Sequence, residues 1–291
     1  MTTMMMIQRM IIMSKTVELR TENAAGLAFD NLNKLAQTCG DELSVKDIRK
    51  SKKKLRKLFS DISDIVIALM YDTYIGAFYY ACYEIQSLNI QKNKWASYST
   101  PPKPEKSRVD DFIYRKKRFK RTLKGRLDRW MKLYTRKILT ALNEAKISKE
   151  TPKETKVKMR YLLGTNGETG LTYIYSRLLR TESTAISNEA ILDAMAAEEE
   201  RIKRENKRMS AIISDDDAPD LSYYRYNAIL DNRTCEECKS LHGKILPVSM
   251  AREGENFPPL HPFCRCTVDY VEKLKRPRTS FDRWRETYVD G

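Results

Sequence analysis

Five side chains that bind soft metal ions cluster near the C-terminal end of the 291-residue sequence. Cys235 and Cys238 form a Cys-x2-Cys pair, and His261, Cys264 and Cys266 follow after a further 22 residues. A Cys-x2-Cys turn lets two thiolates reach one tetrahedral ion, and a second pair from a distant loop completes the coordination. Five candidates compete for four positions, so the spacing predicts a structural zinc site with either Cys264 or Cys266 as the fourth ligand.

Two other interpretations of the cysteines are unligated buried thiols and a redox-labile pair. Four of the six cysteines and both histidines of the chain lie in this segment. In the absence of a recognisable secretory signal we expect reduced thiols, which favours metal binding over disulfides. We expect His242, in a probable turn after Cys238, to have a surface or capping role.

The predicted site favours a structural role over catalysis. Four protein ligands leave no open position for water on a zinc ion. Nucleases that combine cysteine knuckles with a catalytic hairpin need further histidines, and only His242 remains once His261 is used. Hydrolytic zinc chemistry would also need a paired base. We therefore expect the protein not to be an enzyme.

Positive charge is concentrated in one segment of the chain. The net charge is +15, and residues 103–137 contain fifteen basic and four acidic side chains. One interpretation is a phosphate-binding face, independent of nucleic-acid sequence because no reading helix or aromatic stacking platform is recognisable. The other is a solvated helix surface that faces acidic residues of a partner or of this chain, such as Glu198, Glu199 and Glu200. The candidate contact residues are Arg115, Lys116, Lys117, Arg118, Lys120 and Arg121.

Hydrophobic periodicity predicts a mainly α fold, with a long-helix body followed by a small β-containing zinc-binding module. We expect a flexible N-terminal tail at 1–16, a helical body at 17–208, an acidic linker at 209–220, the zinc-binding module at 221–275 and a C-terminal tail at 276–291. Within the module, short strands are predicted at 223–230 and 267–271.

Within the body, helices are predicted at 17–38, 51–89 and 171–209, the last with a solvent-exposed polar end. A single apolar stripe from Phe112 to Leu142 predicts one further helix that packs on residues 55–81. Pro152 and the glycine-rich run 164–170 predict loops. Acidic residues interrupt the most apolar stretch, 62–85, so we predict no membrane span.

Four motifs together resemble one known family. They are Arg180-Thr181-Glu182 before an alanine-rich helix, Asp231-x-Arg233-Thr234-Cys235-x2-Cys238, Leu241-x-Gly243-Lys244, and Pro258-Pro259-Leu260-His261-Pro262-x-Cys264-Arg265-Cys266. Over residues 110–271 the chain resembles phage minor head proteins of the Mu F-like head morphogenesis family.

The resemblance implies a structural minor head protein that binds the portal vertex of a tailed phage or prophage during procapsid assembly and aids DNA packaging or delivery. The implied partners are the portal protein, viral double-stranded DNA, and the scaffold or major capsid protein, with no membrane. The implied location is the capsid interior or portal vertex of the virion, and the host cytoplasm during assembly.

The resemblance also implies ligand residues. The family's metal pattern carries over to Cys235, Cys238, His261 and Cys264, and leaves Cys266 as the weaker candidate. His242 replaces the aspartate usual in the Leu-Asp-Gly element. Arg180 is a candidate for binding a partner or nucleic acid, or for holding the zinc module in place. The alternative function is a zinc-containing, sequence-independent nucleic-acid-binding protein.

Overall fold

A computed structural model describes residues 48–92, 99–118, 120–163, 170–208 and 221–271. The predictions for the tail 1–16, the helix 17–38, the linker 209–220 and the tail 276–291 lie outside these residues. The described part is mainly helical and ends in a small antiparallel sheet, as the hydrophobic pattern predicted.

Three long helices form the body: α1 (Ile48–Lys92), α3 (Leu123–Ile147) and α5 (Leu171–Arg208). Their apolar faces meet in one core, where burial of aliphatic and aromatic surface stabilises the packing. Fully buried contributors include Val66 and Met70 of α1, Ile138 and Leu142 of α3, and Ala190 and Ala194 of α5. The predictions of helices at 51–89 and 171–209, and of packing between the 123–142 stripe and α1, are therefore confirmed.

By length and composition alone, the stretch Arg49–Ile90 of α1 qualifies as a candidate membrane span. The core helix of a bundle meets the same criterion, because a helix that packs against two others is apolar over much of its surface. The apolar residues of α1 contribute to the body core together with those of α3 and α5. This helix gives no support for a membrane location.

The single helix predicted from Phe112 onward is wrong, because the chain breaks before α3. A short helix α2 (Lys106–Asp110) and a π-helical turn (Asp111–Arg115) end at Lys116, and Arg118 then pairs with Arg121 in an isolated antiparallel bridge. Thr122 caps α3 by accepting a hydrogen bond from the Gly125 N–H at 3.0 Å. The break turns Arg118 towards the interior, which periodicity alone did not indicate.

The segment that begins at Pro152 was predicted as a loop but forms helix α4 (Pro152–Leu163). Thr151 and Glu154 form a reciprocal capping box: Thr151 N–H donates to Glu154 Oε2 at 2.8 Å, and Glu154 N–H donates to Thr151 Oγ1 at 3.3 Å. Proline is tolerated at the first helical position, where its missing N–H would have no intrahelical partner.

The polar C-terminal end of α5 was predicted to be exposed to solvent, and this is wrong for Glu198, where the polar end begins. Glu198 is fully buried, accepts a hydrogen bond from Gln86 of α1 at 2.8 Å, and pairs with Arg201 at 2.6 Å. Glu199 pairs with Lys203 one turn later. These carboxylates therefore bind residues other than the basic segment 103–137.

The C-terminal module contains β1 (Tyr223–Asn227), α6 (Glu236–Leu241), β2 (Ile245–Pro247), a 3-10 turn (Val248–Met250) and β3 (Thr267–Val271). The strands form an antiparallel sheet in the order β2-β1-β3. The prediction for β3 is confirmed, whereas β1 ends three residues earlier than predicted. The sequence analysis did not predict β2 and α6, because it assigned their residues to a loop.

Strand β1 joins two apolar clusters. Tyr224 and Tyr226 lie two residues apart and are both fully buried. Tyr224 packs in a cluster with Ile85 of α1 and Met195 of α5, whereas Tyr226 packs with the cysteines. The module therefore buries part of its apolar surface against the helical body.

Removing the cap of α4 tests the finding that the segment from Pro152 is a helix and not a loop. We expect Thr151→Ala to lower the melting temperature by about 2 °C, because the Glu154 N–H loses its side-chain acceptor and the Glu154 carboxylate loses the Thr151 hydroxyl. Thermal denaturation followed by circular dichroism measures the change. Thr140→Ala, on the exposed face of α3, is the control, and an equal effect of both variants would contradict the assignment.

Candidate metal centre

The first pair of candidate ligands is positioned by the start of α6. Cys235 is the N-cap residue of this helix, and its Sγ accepts a hydrogen bond from the Cys238 N–H at 3.4 Å. This turn brings both thiols to one side of the helix start. Cys238 is buried, whereas Cys235 is partly exposed.

The second set comes from the loop that leads into β3. Cys264 N–H donates to the His261 carbonyl at 3.1 Å and closes a turn. The Nδ1 atom of His261 lies 2.8 Å from the Pro262 carbonyl oxygen, which leaves Nε2 towards the cysteines. A hydrogen bond from one ring nitrogen to a carbonyl commonly orients a histidine whose other nitrogen binds metal.

The two sets meet at Cys238. His261 Nε2 lies 3.2 Å from Cys235 Sγ and 3.3 Å from Cys238 Sγ, and Cys238 Sγ lies 3.9 Å from Cys264 Sγ. Two sulfurs bound tetrahedrally to one zinc ion at about 2.3 Å lie about 3.8 Å apart. The separations between the two sets therefore fit coordination of one ion.

The five residues form two overlapping groups that can hold a metal ion. One group is Cys235, Cys238 and His261, the other is Cys238, Cys264 and Cys266, and the ligand atoms within each group lie within 4.8 Å of one another. Thiolate and imidazole ligands are the donor set that zinc prefers in structural sites. The two groups share only Cys238, so the choice between Cys264 and Cys266 as the fourth ligand stays a prediction.

The environment of the thiols favours thiolates at two positions. A hydrogen bond from the Cys266 thiol lowers the pKa of Cys264 to about 5. Burial raises the pKa of Cys235, but hydrogen bonds from Cys238 and the nearby His261 outweigh it and the net pKa is lowered. Burial raises the pKa of Cys238 to about 11. Because thiolates are the metal-binding form, an ion at this site would displace the remaining thiol protons.

Residues just outside the cluster hold its loops. Arg265 donates two hydrogen bonds to the Asp231 carboxylate, at 2.8 and 2.6 Å, and Asp231 also accepts from the Arg233 N–H at 2.9 Å. This guanidinium lowers the pKa of Asp231 well below its usual range. The Tyr226 hydroxyl lies 3.5 Å from Cys238 Sγ and is placed to donate to it. The Asp231–Arg265 pair thus ties the turn before Cys235 to the loop that carries Cys264 and Cys266.

Helix α5 binds the backbone of the same loop through three side chains. Thr181 Oγ1 accepts from the Phe263 N–H at 3.0 Å, and Thr184 Oγ1 donates to the Cys264 carbonyl at 3.1 Å. Asn188 donates to the Cys266 carbonyl at 3.2 Å and accepts from the Val268 N–H at 2.9 Å. The spacing of three and four residues places these polar groups on one helix face, a signal that sequence reasoning overlooked.

The structure explains the Arg180-Thr181-Glu182 motif: the first two residues contact Phe263 of the ligand loop, and the third binds two arginines. The Arg180 guanidinium lies 5.5 Å from the centroid of the Phe263 ring, and Thr181 binds the same residue's backbone. Glu182 is fully buried and accepts from Arg118 at 2.8 Å and from Arg126 at 2.6 Å. Arg180 thus contacts the ligand loop, as one of the two interpretations anticipated.

The basic candidates separate into paired and exposed residues. The Arg118 side chain is only 4% exposed and also pairs with Glu253 of the module, so the proposal that it binds a partner or phosphate is corrected. Lys116 pairs with Glu189 and Arg115 with Asp111. Lys117, Lys120 and Arg121 are exposed. Part of the positive charge of the basic segment is therefore paired with acidic residues of the same chain. These acidic partners are not the glutamates at 198–200.

His242 has the capping role that was predicted. Its Nδ1 accepts a hydrogen bond from the Ala228 N–H at 3.1 Å, and the residue is exposed. Among the described residues it belongs to neither group that can hold a metal ion.

The part of the chain that contains α5 and the metal centre has a recognisable family. Residues 171–269 match the family model described as Phage Mu protein F like protein. The predicted resemblance is confirmed. The Mu F-like match begins at the first residue of α5, and no curated protein and no solved structure matches the chain.

The Mu F-like match of residues 171–269 supports a role in phage head morphogenesis, for which the family implies a place in the virion and association with other capsid proteins. It covers the motifs from Arg180 to Cys266 and therefore the whole metal centre. The predicted extension of the resemblance back to residue 110 is not included in the match.

The buried carboxylate of Glu182 should be essential to the fold. We expect Glu182→Gln to lower the free energy of unfolding by about 3 kcal/mol, because it leaves the Arg118 and Arg126 charges without their shared partner. Chemical denaturation measures this value. Glu199→Gln, which affects only a surface pair with Lys203, is the control, and similar losses in both variants would refute a special role for Glu182.

Proposed function

We propose that the protein is a structural, non-enzymatic minor head protein of a tailed phage or prophage that binds the portal vertex during procapsid assembly and aids DNA packaging or delivery. The observation that carries this proposal is the Mu F-like match, which spans α5 and the metal centre. The structure joins these same residues through hydrogen bonds between α5 and the ligand loop. The scaffold or major capsid protein is a further partner in this proposal.

We also propose that zinc holds the C-terminal module together, bound by Cys235, Cys238, His261 and either Cys264 or Cys266. The cluster around the cysteines contains few other apolar residues, chiefly Tyr226 and Ala228. A module with so small an apolar interior gains much of its folding free energy from metal binding. The ion would supply cross-linking of two loops, and no reaction step.

Metal analysis tests this part of the proposal. We expect one zinc ion per chain in protein purified under reducing conditions, and less than a tenth of that in Cys238→Ser, because Cys238 belongs to both ligand groups. Inductively coupled plasma mass spectrometry gives the ratio. Cys82→Ala, a change at a buried cysteine of α1, should keep full zinc content. The proposal would be refuted if the purified wild-type protein contained no zinc and a chelator left its melting temperature unchanged.

Association with the portal is tested by co-purification. We expect a tagged portal protein encoded by the same phage to retain this protein at both low and moderate salt, because the proposed contact is specific rather than a general attraction of positive charge. The matched control is the portal of an unrelated phage. Equal retention on both portals, or loss of retention at moderate salt, would contradict portal binding.

A second candidate is sequence-independent binding of nucleic acid, for which one surface provides support. Arg129, Lys132 and Arg136 are exposed along the outer face of α3, and none has an ion-pair partner among the described residues. Such a row of charges attracts phosphates and releases counterions on binding. This outer face of α3 replaces the segment around Arg118 as the preferred site of duplex contact.

A further inference from the structure

A groove of about 220 Å³ lies between α3 and α5, beside the ligand loop of the metal centre. Trp130 of α3, Leu178 of α5 and Pro262 of the loop supply its apolar lining, and Arg126, Arg177 and the carboxylate of Glu182 supply its charged lining. None of the sequence motifs indicated this groove, because it forms only where three separate segments meet.

The charges around the groove are not balanced. Arg126 pairs with Glu182, and this carboxylate also binds Arg118, which pairs in turn with Glu253. Arg177 and Arg180 lie on one face of α5, three residues apart, and neither has an ion-pair partner among the described residues. Arg177 in the groove, together with Arg180 one turn further along α5, therefore favours an anionic ligand.

Aromatic rings lie beside these arginines. Trp130 is partly buried, packs against the body core and also lines the groove. Next to the lining residue Pro262, the Phe263 ring lies 5.5 Å from the Arg180 guanidinium and 5.4 Å from the Tyr173 ring. Aromatic side chains interleaved with arginines are typical of surfaces on which unpaired bases stack while their phosphates are held by charge.

We propose that this groove binds one nucleotide unit, with its base against Trp130 and its phosphate held by Arg177 and Arg180. The combination of an aromatic lining and unpaired arginines favours a nucleotide over an acidic peptide, whose carboxylates would use only the arginines. The volume suits one unpaired base rather than a duplex. The ligand is a unit of single-stranded nucleic acid or a free nucleotide, and the inference does not depend on portal binding.

Paired variants separate binding in this groove from a general effect of positive charge. In Arg177→Gln/Arg180→Gln we expect the affinity for a fluorescein-labelled 12-nucleotide oligo(dT) to fall at least about 10-fold, with duplex affinity changed less than about twofold. Arg56→Gln/Lys57→Gln removes the same charge from the exposed side of α1 and should leave oligo(dT) binding within about twofold. Fluorescence anisotropy on the full chain gives both affinities, and melting temperature and zinc content check the fold.

Two further measurements complete the test. In the groove variant, the plot of log affinity for oligo(dT) against log salt concentration should become less steep. The slope should change by about 0.7 for each phosphate that an arginine no longer neutralises. Trp130→Leu, which keeps an apolar side chain but removes the stacking surface, should also weaken oligo(dT) binding. Competition by adenosine monophosphate would identify a free nucleotide as a ligand, and failure to compete would identify a strand.

The proposal is overturned if the wild type does not bind oligo(dT) or adenosine monophosphate. Equal weakening by the two double variants would also overturn it, because binding would then follow net charge alone. A Trp130→Leu variant that folds and binds oligo(dT) as tightly as the wild type would remove the stacking role and with it the nucleotide assignment.

Discussion

The hydrogen bonds between α5 and the loop of the metal centre are the constraint on which the arrangement of the described residues depends. Thr181, Thr184 and Asn188 bind backbone groups on both sides of Cys264 and Cys266. Buried backbone groups need such partners, since leaving them unpaired costs free energy. The ligand loop is therefore fixed to a helix that is itself fixed in the body core.

Another face of the same helix helps to organise the charge of the N-terminal part. Glu182 and Glu253 draw Arg118 into the interior, and this requires the chain to leave the helical path before Thr122. Charges buried in pairs contribute little net stability, but a buried charge without its partner is strongly destabilising. The Arg118 contacts therefore specify how the 116–122 turn, α5 and the module fit together.

These two sets of contacts bear on the function of the Mu F-like region. Cys238 belongs to both groups of potential metal ligands. A metal ion bound there would stiffen the ligand loop, which is already bound to α5 and contacted by Arg180. Rigid presentation of a surface lowers the entropy cost when a partner binds. A structural metal centre is consistent with a head protein that must keep one shape during assembly.

The sequence by itself determined the long helices α1 and α5, the strand β3, the set of residues that could hold a metal ion and the family resemblance. These features follow from local spacing: apolar residues repeat with the helical period over α1 and α5, and Cys235 and Cys238 are separated by one short turn. The capping box at Thr151 was also readable, but the proline that follows it was taken as a loop signal, although proline suits the first helical position.

Only the tertiary structure decided which charges are buried and which surfaces face one another. Arg118 and Lys117 are near neighbours in a basic run, yet one is enclosed by Glu182 and Glu253 and the other is exposed. The partners of Arg118 lie 64 and 135 residues further along the chain. Pairing over such distances depends on how the helices pack, and no local pattern of charge encodes it.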